Sequence, residues 1–185
     1  MEGFLNPNQV LKQLELKEDM VAADFGSGAG GWAIPLAKRL LSRRRPLRPE
    51  LEPLSQGKVY AIDILEEPLA VLKSRAKLER VFNIETIRAD LEKGTSLASN
   101  SVDLVLATNL LFQVEDKKAI FKEVKRVLKK GGQLLIVDWL LRAPLGPEKG
   151  RVSSEEVKKM AREFDFQLKK EFKAGIYHYG LIFEV

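Results

Sequence analysis

Val21-Ala22-Ala23-Asp24-Phe25-Gly26-Ser27-Gly28-Ala29-Gly30-Gly31 is the stretch on which the fold turns. A short apolar run ends in an acid, glycines follow at alternate positions, and a helix-like segment (Trp32, Ile34, Leu36, Ala37) takes over. Glycines at a strand-to-helix junction let the backbone turn tightly and approach a ligand, with a helix N-terminus aimed at it. Gly26, Gly28 and Gly31 also satisfy the dinucleotide pattern G-x-G-x-x-G, so the glycines alone do not choose a ligand. Asp24 discriminates better. A carboxylate beside a bound pyrophosphate, roughly 6 Å away at an effective dielectric of about 20, is repelled by on the order of 3 kcal/mol. A ligand carrying an ammonium and a sulfonium is attracted instead.

Around this stretch, strand and helix patterns alternate. A strand is expected over 20–24, a helix over 31–41, strands over 58–64, 83–87 and 102–107, and a fifth over 133–139. Pro68 begins a helix with Leu69, Leu72 and Ala76 on one face, and Asn6-Pro7 forms an N-cap and first-turn pair. A further helix through Ile120, Val124 and Val127 is expected to close on Gly131-Gly132. The loop 142–151 is rich in Pro and Gly, and Ser153-x-x-Glu156 is a capping box for a last helix through Val157, Met160 and Phe164. Segments 166–172 and 177–185 form a hairpin joined at Ala174-Gly175. Alternation implies parallel strands with right-handed crossovers, hence a doubly wound α/β sheet. Residues 42–57, with three prolines and no periodicity, form an irregular insertion.

At 185 residues, with 45% hydrophobic and 31% charged residues, the chain has the size and composition of one globular domain spanning 1–185. No apolar run approaches a membrane span, and Asp138 interrupts the best of them. Met1-Glu2-Gly3 lacks the basic and apolar regions of an export signal, so a cytoplasmic location is expected. The absence of cysteine excludes disulfides, zinc–thiolate sites and cysteine nucleophiles, and no metal site is expected. A net charge of +5 permits an anionic partner without requiring one. Arg43, Arg44, Arg45 and Arg48 form the obvious basic cluster, open to a nucleic-acid contact or to a reading as a solvated loop; a helix-to-strand loop lies opposite the ligand-binding ends of the strands, which favours the solvated loop.

The motif Asp24-x-Gly26-x-Gly28-x-Gly30, followed by strand-helix alternation and a terminal hairpin, resembles the class I S-adenosylmethionine-dependent methyltransferases. The resemblance runs over residues 6–185 apart from the 42–57 insertion. It implies a seven-stranded Rossmann-like sheet of order 3-2-1-4-5-7-6, with S-adenosylmethionine as cofactor. Asp24 and the loop Gly26, Ser27, Gly28 and Gly30 would hold the methionine part. Asp63 would accept from both ribose hydroxyls, as an ionised carboxylate can, with Ile64 packed on adenine. Asp90 would accept from the adenine amino group and Leu91 would offer a backbone donor. Thr108 and Asn109, at the end of the fourth strand, would close over the cofactor and begin the acceptor pocket.

A dinucleotide-dependent oxidoreductase is the alternative on the same sheet. Spacing does not separate the two, because the 42–57 insertion accounts for the long gap between the glycines and Asp63. Asp63 also has a plain reading as an N-cap acid. Within the resemblance, no Pro-Pro-aromatic motif follows Asn109 and no cysteine is present, which points away from the amino- and cytosine-carbon-methylating enzymes of nucleic acids. The broad small-molecule group, including quinone-type methyltransferases, fits best, with RNA or protein methylation through the basic insertion as the alternative. The hairpin is expected to bring Tyr177 and His178 beside Asn109, Phe112 and Trp139, with His178 on the opposite strand face from Tyr177 and Tyr179. His178, Tyr177 and Asn109 are the catalytic candidates, His178 because imidazole can take or orient a proton near neutral pH.

Overall fold

A computed structural model describes residues 4–41 and 57–185. The expected insertion, apart from Gly57, and the four arginines within it lie outside the described residues. Seven strands form one sheet in the order β3-β2-β1-β4-β5-β7-β6. They are β1 (Val21–Phe25), β2 (Lys58–Asp63), β3 (Ile84–Arg88), β4 (Val102–Thr108), β5 (Leu128–Trp139), β6 (Gln167–Lys173) and β7 (His178–Glu184). Neighbours from β3 to β5 are parallel; β7 runs antiparallel to both β5 and β6. The expected topology and terminal hairpin are both present.

The central strands β1 and β4 are apolar almost throughout because helices cover both sheet faces. One face packs against α1 (Pro7–Val10), α2 (Ala33–Leu40) and α3 (Glu66–Leu78), burying Val10, Leu36, Leu40 and Leu72 with Leu104 and Leu135. The other packs against α4 (Lys117–Val127) and α5 (Ser154–Glu163), burying Ile120, Phe121 and Val157 with Val105 and Ile136. Local chemistry sets the helix starts. The Asn6 side chain accepts from the Asn8 N–H, and Ser153 and Glu156 complete the reciprocal capping box.

Two boundaries differ from the sequence pattern. Helix α3 begins at Glu66, placing Pro68 inside its first turn. Helix α4 ends at Val127, and Leu128 already pairs with Val102, so Gly131-Gly132 is not a helix cap. The next pair in that register is Leu104 with Gln133, and the surplus residues bulge. Gly131 adopts a φ of +76° there, while its N–H donates to the Val185 carbonyl and the Gly132 carbonyl accepts from Val185. Two glycines after a helix served a β-bulge that docks the C-terminus.

A buried acid fixes the loop after β3. Glu123 on α4 accepts from the Thr95 N–H and hydroxyl at 2.8 and 2.6 Å and pairs with Arg126 at 2.6 Å. Burial pushes the Glu123 pKa up, but the bonds from Arg126 and Thr95 outweigh it and hold the group below its ordinary value. Arg126 extends the network to the carbonyls of Leu97 and Thr95. Glu123→Ala leaves Arg126 and Thr95 without their acceptor and should lower unfolding stability by about 3 kcal/mol, read by urea denaturation at pH 7.

Candidate functional site

The carboxyl ends of the parallel strands carry the site, at the switch in strand order between β1 and β4. The β1–α2 turn is closed on itself. The N–H groups of Gly26 and Ser27 both donate to the Ile62 carbonyl at 2.9 Å, Gly30 donates to the Ser27 carbonyl at 3.0 Å, and Gly28 donates to Asp63 Oδ2 at 2.9 Å. A phosphate-binding loop needs such groups free. Here four of them are already satisfied by the chain. Side chains at Gly26 and Gly30 would meet Leu110 Cδ1 at 2.9 Å and Leu72 Cγ at 2.8 Å, whereas Gly28 faces open space. The loop is therefore packed on two sides and approachable at Gly28.

Asp24 is fully buried one turn below, and neither carboxylate oxygen has a hydrogen-bond partner among the described residues. Burial raises its pKa to about 8; the nearby Ala33 N–H at the start of α2 draws it down, and the negative charge of Asp63 pushes it further up. Asp24 thus stands beside the helix N-terminus where a pyrophosphate would need to lie, an acid that burial keeps protonated and that ionises readily only when a positive group comes beside it. Ser27 Oγ and Asn109 Oδ1 are likewise buried without partners. Three acceptor-capable groups left unsatisfied in one crevice suit a ligand with hydrogen-bond donors and positive charge.

Asp63 ends β2 as expected. It does not cap the next helix, whose N-cap is Leu65. Its Oδ1 accepts from the Leu65 N–H at 3.0 Å while Oδ2 holds Gly28. Ile64 beside it is 55% exposed, an apolar surface free to cover a flat ligand. Asp90 accepts from the Glu92 N–H at 3.1 Å and pairs with the exposed Lys93 at 2.8 Å, which lowers its pKa. Leu91 is buried under it. Glu92 in turn receives the Asp116 N–H, joining this loop to the start of α4.

Thr108 is buried at the end of β4, and Asn109 follows in the left-handed region at φ +52°. The Asn109 N–H donates to the Val137 carbonyl at 2.8 Å. Tyr177 and His178 reach the same edge: His178 pairs with Trp139 across the antiparallel ladder, as expected, with ring centroids 4.1 Å apart. The half-exposed histidine that a strand position usually gives is not what forms. His178 is buried, both ring nitrogens lack partners, and burial lowers its pKa to about 4. Tyr179, on the other face, donates from its hydroxyl to the Val152 carbonyl at 2.9 Å and is a packing residue.

Two residues with no distinctive sequence pattern organise this half. Asp138, a break in an apolar run, is fully buried and accepts from the Leu111 N–H at 3.0 Å and from its neighbour Trp139 at 2.7 Å. Burial raises its pKa to about 6 against those N–H groups. Arg151 donates to the carbonyls of Leu140, Leu141, Ala143, Leu145 and Pro147, turning the Pro/Gly-rich loop into a packed wall over Trp139. An acid in a hydrophobic run and an arginine after a glycine carry no local signal of such roles. Among the described residues no group of three or more His, Cys, Asp or Glu side chains is arranged to hold a metal ion, and no helix is long and apolar enough to cross a membrane.

A family model described as a methyltransferase domain matches residues 23–136. A demethylmenaquinone methyltransferase of Staphylococcus aureus is 30% identical over 131 residues, covering 70% of this chain and 47% of that protein. Its namesake in Geobacillus stearothermophilus is 28% identical over 123 residues, covering 66% of this chain and 47% of that protein. The chain thus spans about half the length of the curated relatives it matches. Among solved structures, a SAM-dependent methyltransferase from Aquifex aeolicus superposes with a TM-score of 0.83 at 26% identity, covering 98% of this chain and 90% of that one. The [4+2]-cyclase SpnF shares the fold at a TM-score of 0.77 and 14% identity, covering 96% of this chain and 78% of that one. One fold therefore hosts more than one reaction, and the site must argue for its own.

The buried acid makes a prediction of definite sign. With a folded pKa of about 8 against an ordinary 3.8, the native state binds more protons than the unfolded chain between those values, so Asp24 costs stability as pH rises through that window. Asp24→Asn removes that dependence. Its melting temperature relative to wild type should climb from pH 5 to pH 8 in the ligand-free protein; a difference flat with pH would contradict the buried, unpartnered carboxylate.

Proposed function

The chain belongs to the methyltransferase domain family, and on that footing we propose that it transfers a methyl group from S-adenosylmethionine to a small-molecule acceptor. The observation that carries this reading is Asp24, buried without a partner beside a loop whose amides are already used. That pairing suits a cation and not a phosphate. The names of the relatives bring a quinone-type ring to this chain as the acceptor class.

In this reading Asp24, Gly26, Ser27, Gly28 and Gly30 surround the amino-acid end of the cofactor. Asp63 accepts from the ribose hydroxyls while steadying Gly28, and Ile64 lies against adenine. Asp90 and Leu91 bound the far side of the base, with Lys93 yielding part of its hold on Asp90. Thr108 and Asn109 stand between cofactor and acceptor. The residues fit the group: unpartnered acceptors face its donors, an acid faces its positive charge, and an exposed apolar side chain waits for its ring. When bound, S-adenosylmethionine supplies a methyl carbon already activated by its sulfonium, so the C–S bond breaks as the acceptor bonds that carbon and the electron pair stays on sulfur. What the chain must then do is align the acceptor behind that carbon and exclude water. The 108–112 segment is suited to this, fixed by Asp138 to Leu111 and by Val137 to Asn109.

Calorimetric titration with S-adenosylhomocysteine and with NAD tests the reading directly. Binding of the first and not the second is expected; the reverse would replace it with the dinucleotide alternative. Asp63→Ala should weaken S-adenosylhomocysteine binding by about ten- to hundredfold, the worth of a charged acceptor for two hydroxyls, with the fold verified by circular dichroism.

A further inference from the structure

Four rings converge where the carboxyl end of β5 meets the amino end of β7. Trp139 and His178 are directly paired, and Tyr177 lies just before β7 begins, so the expected strand alternation does not hold it on the face opposite His178 and one ring, Phe4, meets both. Phe4 meets all three edge-on, with its centroid 6.4 Å from Trp139, 6.0 Å from Tyr177 and 6.2 Å from His178. Edge-to-face contacts at such distances are favourable ring geometry. The arrangement is nevertheless lopsided. Phe4 is 59% exposed, while the histidine beneath it is 1% exposed with both nitrogens unpartnered. A phenyl ring offers an imidazole no hydrogen bond, so the polar cost of burying His178 is left standing.

We propose that Phe4 stands in for the ring of the acceptor: Trp139, Tyr177 and His178 form a box for a planar hydroxy-aromatic molecule, which displaces Phe4 and donates its hydroxyl proton in a hydrogen bond to His178. The proposal rests on the methyltransferase reading above and deepens it. Three features of the fold favour it. His178 is held neutral by burial, so one ring nitrogen is available as an acceptor at neutral pH. The box adjoins the β4 loop, since the Asn109 N–H is bonded to Val137, two residues before Trp139 on the same strand face. Phe4 precedes the Asn6 cap of α1, so it can swing out without breaking a helix. Tyr177 also lines a cleft of about 450 Å³ whose wall mixes Leu140, Pro144 and Ile176 with Arg142 and Ser153, a space for substituents on the ring.

The test is calorimetric titration of 2-naphthol, with and without saturating S-adenosylhomocysteine. Phe4→Ala should bind 2-naphthol about fivefold or more tightly than wild type, because one favourable ring–ring contact no longer competes. Equal or weaker binding would make Phe4 a bystander or a wall of the pocket and overturn the proposal. His178→Phe keeps a ring in place but removes the nitrogens, so the wild-type preference for 2-naphthol over 2-methoxynaphthalene should vanish; a preserved preference would remove His178 from the box. If His178→Phe does not fold, Phe4→Ala decides alone. S-adenosylhomocysteine titrated into wild type reports the cofactor site separately. Loss of that binding with naphthol binding intact condemns the methyltransferase reading, and the opposite result condemns the box.

Discussion

A carboxylate buried at the end of a central strand with no hydrogen bond from the protein is among the more costly things a fold can hold. Asp24 is in that position, and the structure around it relieves it only in part, through the nearby Ala33 N–H. The amides that could have turned toward it are engaged with Ile62, Ser27 and Asp63. Asp63 adds negative charge instead of cancelling it. The arrangement makes sense if the missing partner comes from outside and is positive. Had the same loop left its amides free and ended its strand in a neutral residue, the helix N-terminus would favour phosphate. The choice between two large classes of ligand thus rests on one side chain and the direction of four N–H groups.

The two halves of the crevice are not built independently. Leu110, from the loop after β4, fills the space that a side chain at Gly26 would need, so the glycine turn and the acceptor-side loop share one packed contact. Asp138 then fixes that loop through Leu111, and Arg151 gathers five carbonyls to hold the wall above Trp139. Each anchor is a charge-assisted hydrogen bond, stronger than a neutral one. Prolines and glycines in 140–151 therefore do not imply looseness. Five carbonyls of this segment, outside any ladder, have found a guanidinium.

Much of this was legible in the sequence, and the limits are physical. Parallel strands follow from alternation and the antiparallel ending from a hairpin, both local patterns, while the strand order itself came with the family resemblance. Asp24 and Asp63 stand out because each is an acid at the end of an apolar run, and Asp90 because it follows the third strand pattern. Asp138 does not, because an acid inside a buried strand looks like an interruption until its partners, 27 residues earlier in the chain, are known. Gly131-Gly132 looks like a helix stop because the same left-handed backbone serves a bulge, and only the pairing of Leu128 with Val102 separates them. Phe4 gives no signal at all. Its neighbours lie at 139, 177 and 178, and only the closed sheet brings them together.

The carboxyl edge of the sheet divides into two chemistries. Over β1, β2 and β3 it is lined by acids, and over β5 and β7 by rings. Thr108 and Asn109 lie at the boundary, at the end of the strand that stands between β1 and β5. A methyl donor that carries positive charge and an acceptor with a flat apolar ring would sort themselves onto these two halves by desolvation and charge alone. The atom passed between them would then cross at Asn109. That residue's left-handed backbone and unpartnered Oδ1 mark a position held in a less favoured conformation by its surroundings. Strain of this kind persists where the neighbours over-determine it, and here they do: the Val137 carbonyl fixes its N–H and the Gln113 side chain fixes its carbonyl. Only the side-chain oxygen is left to answer to whatever enters the crevice.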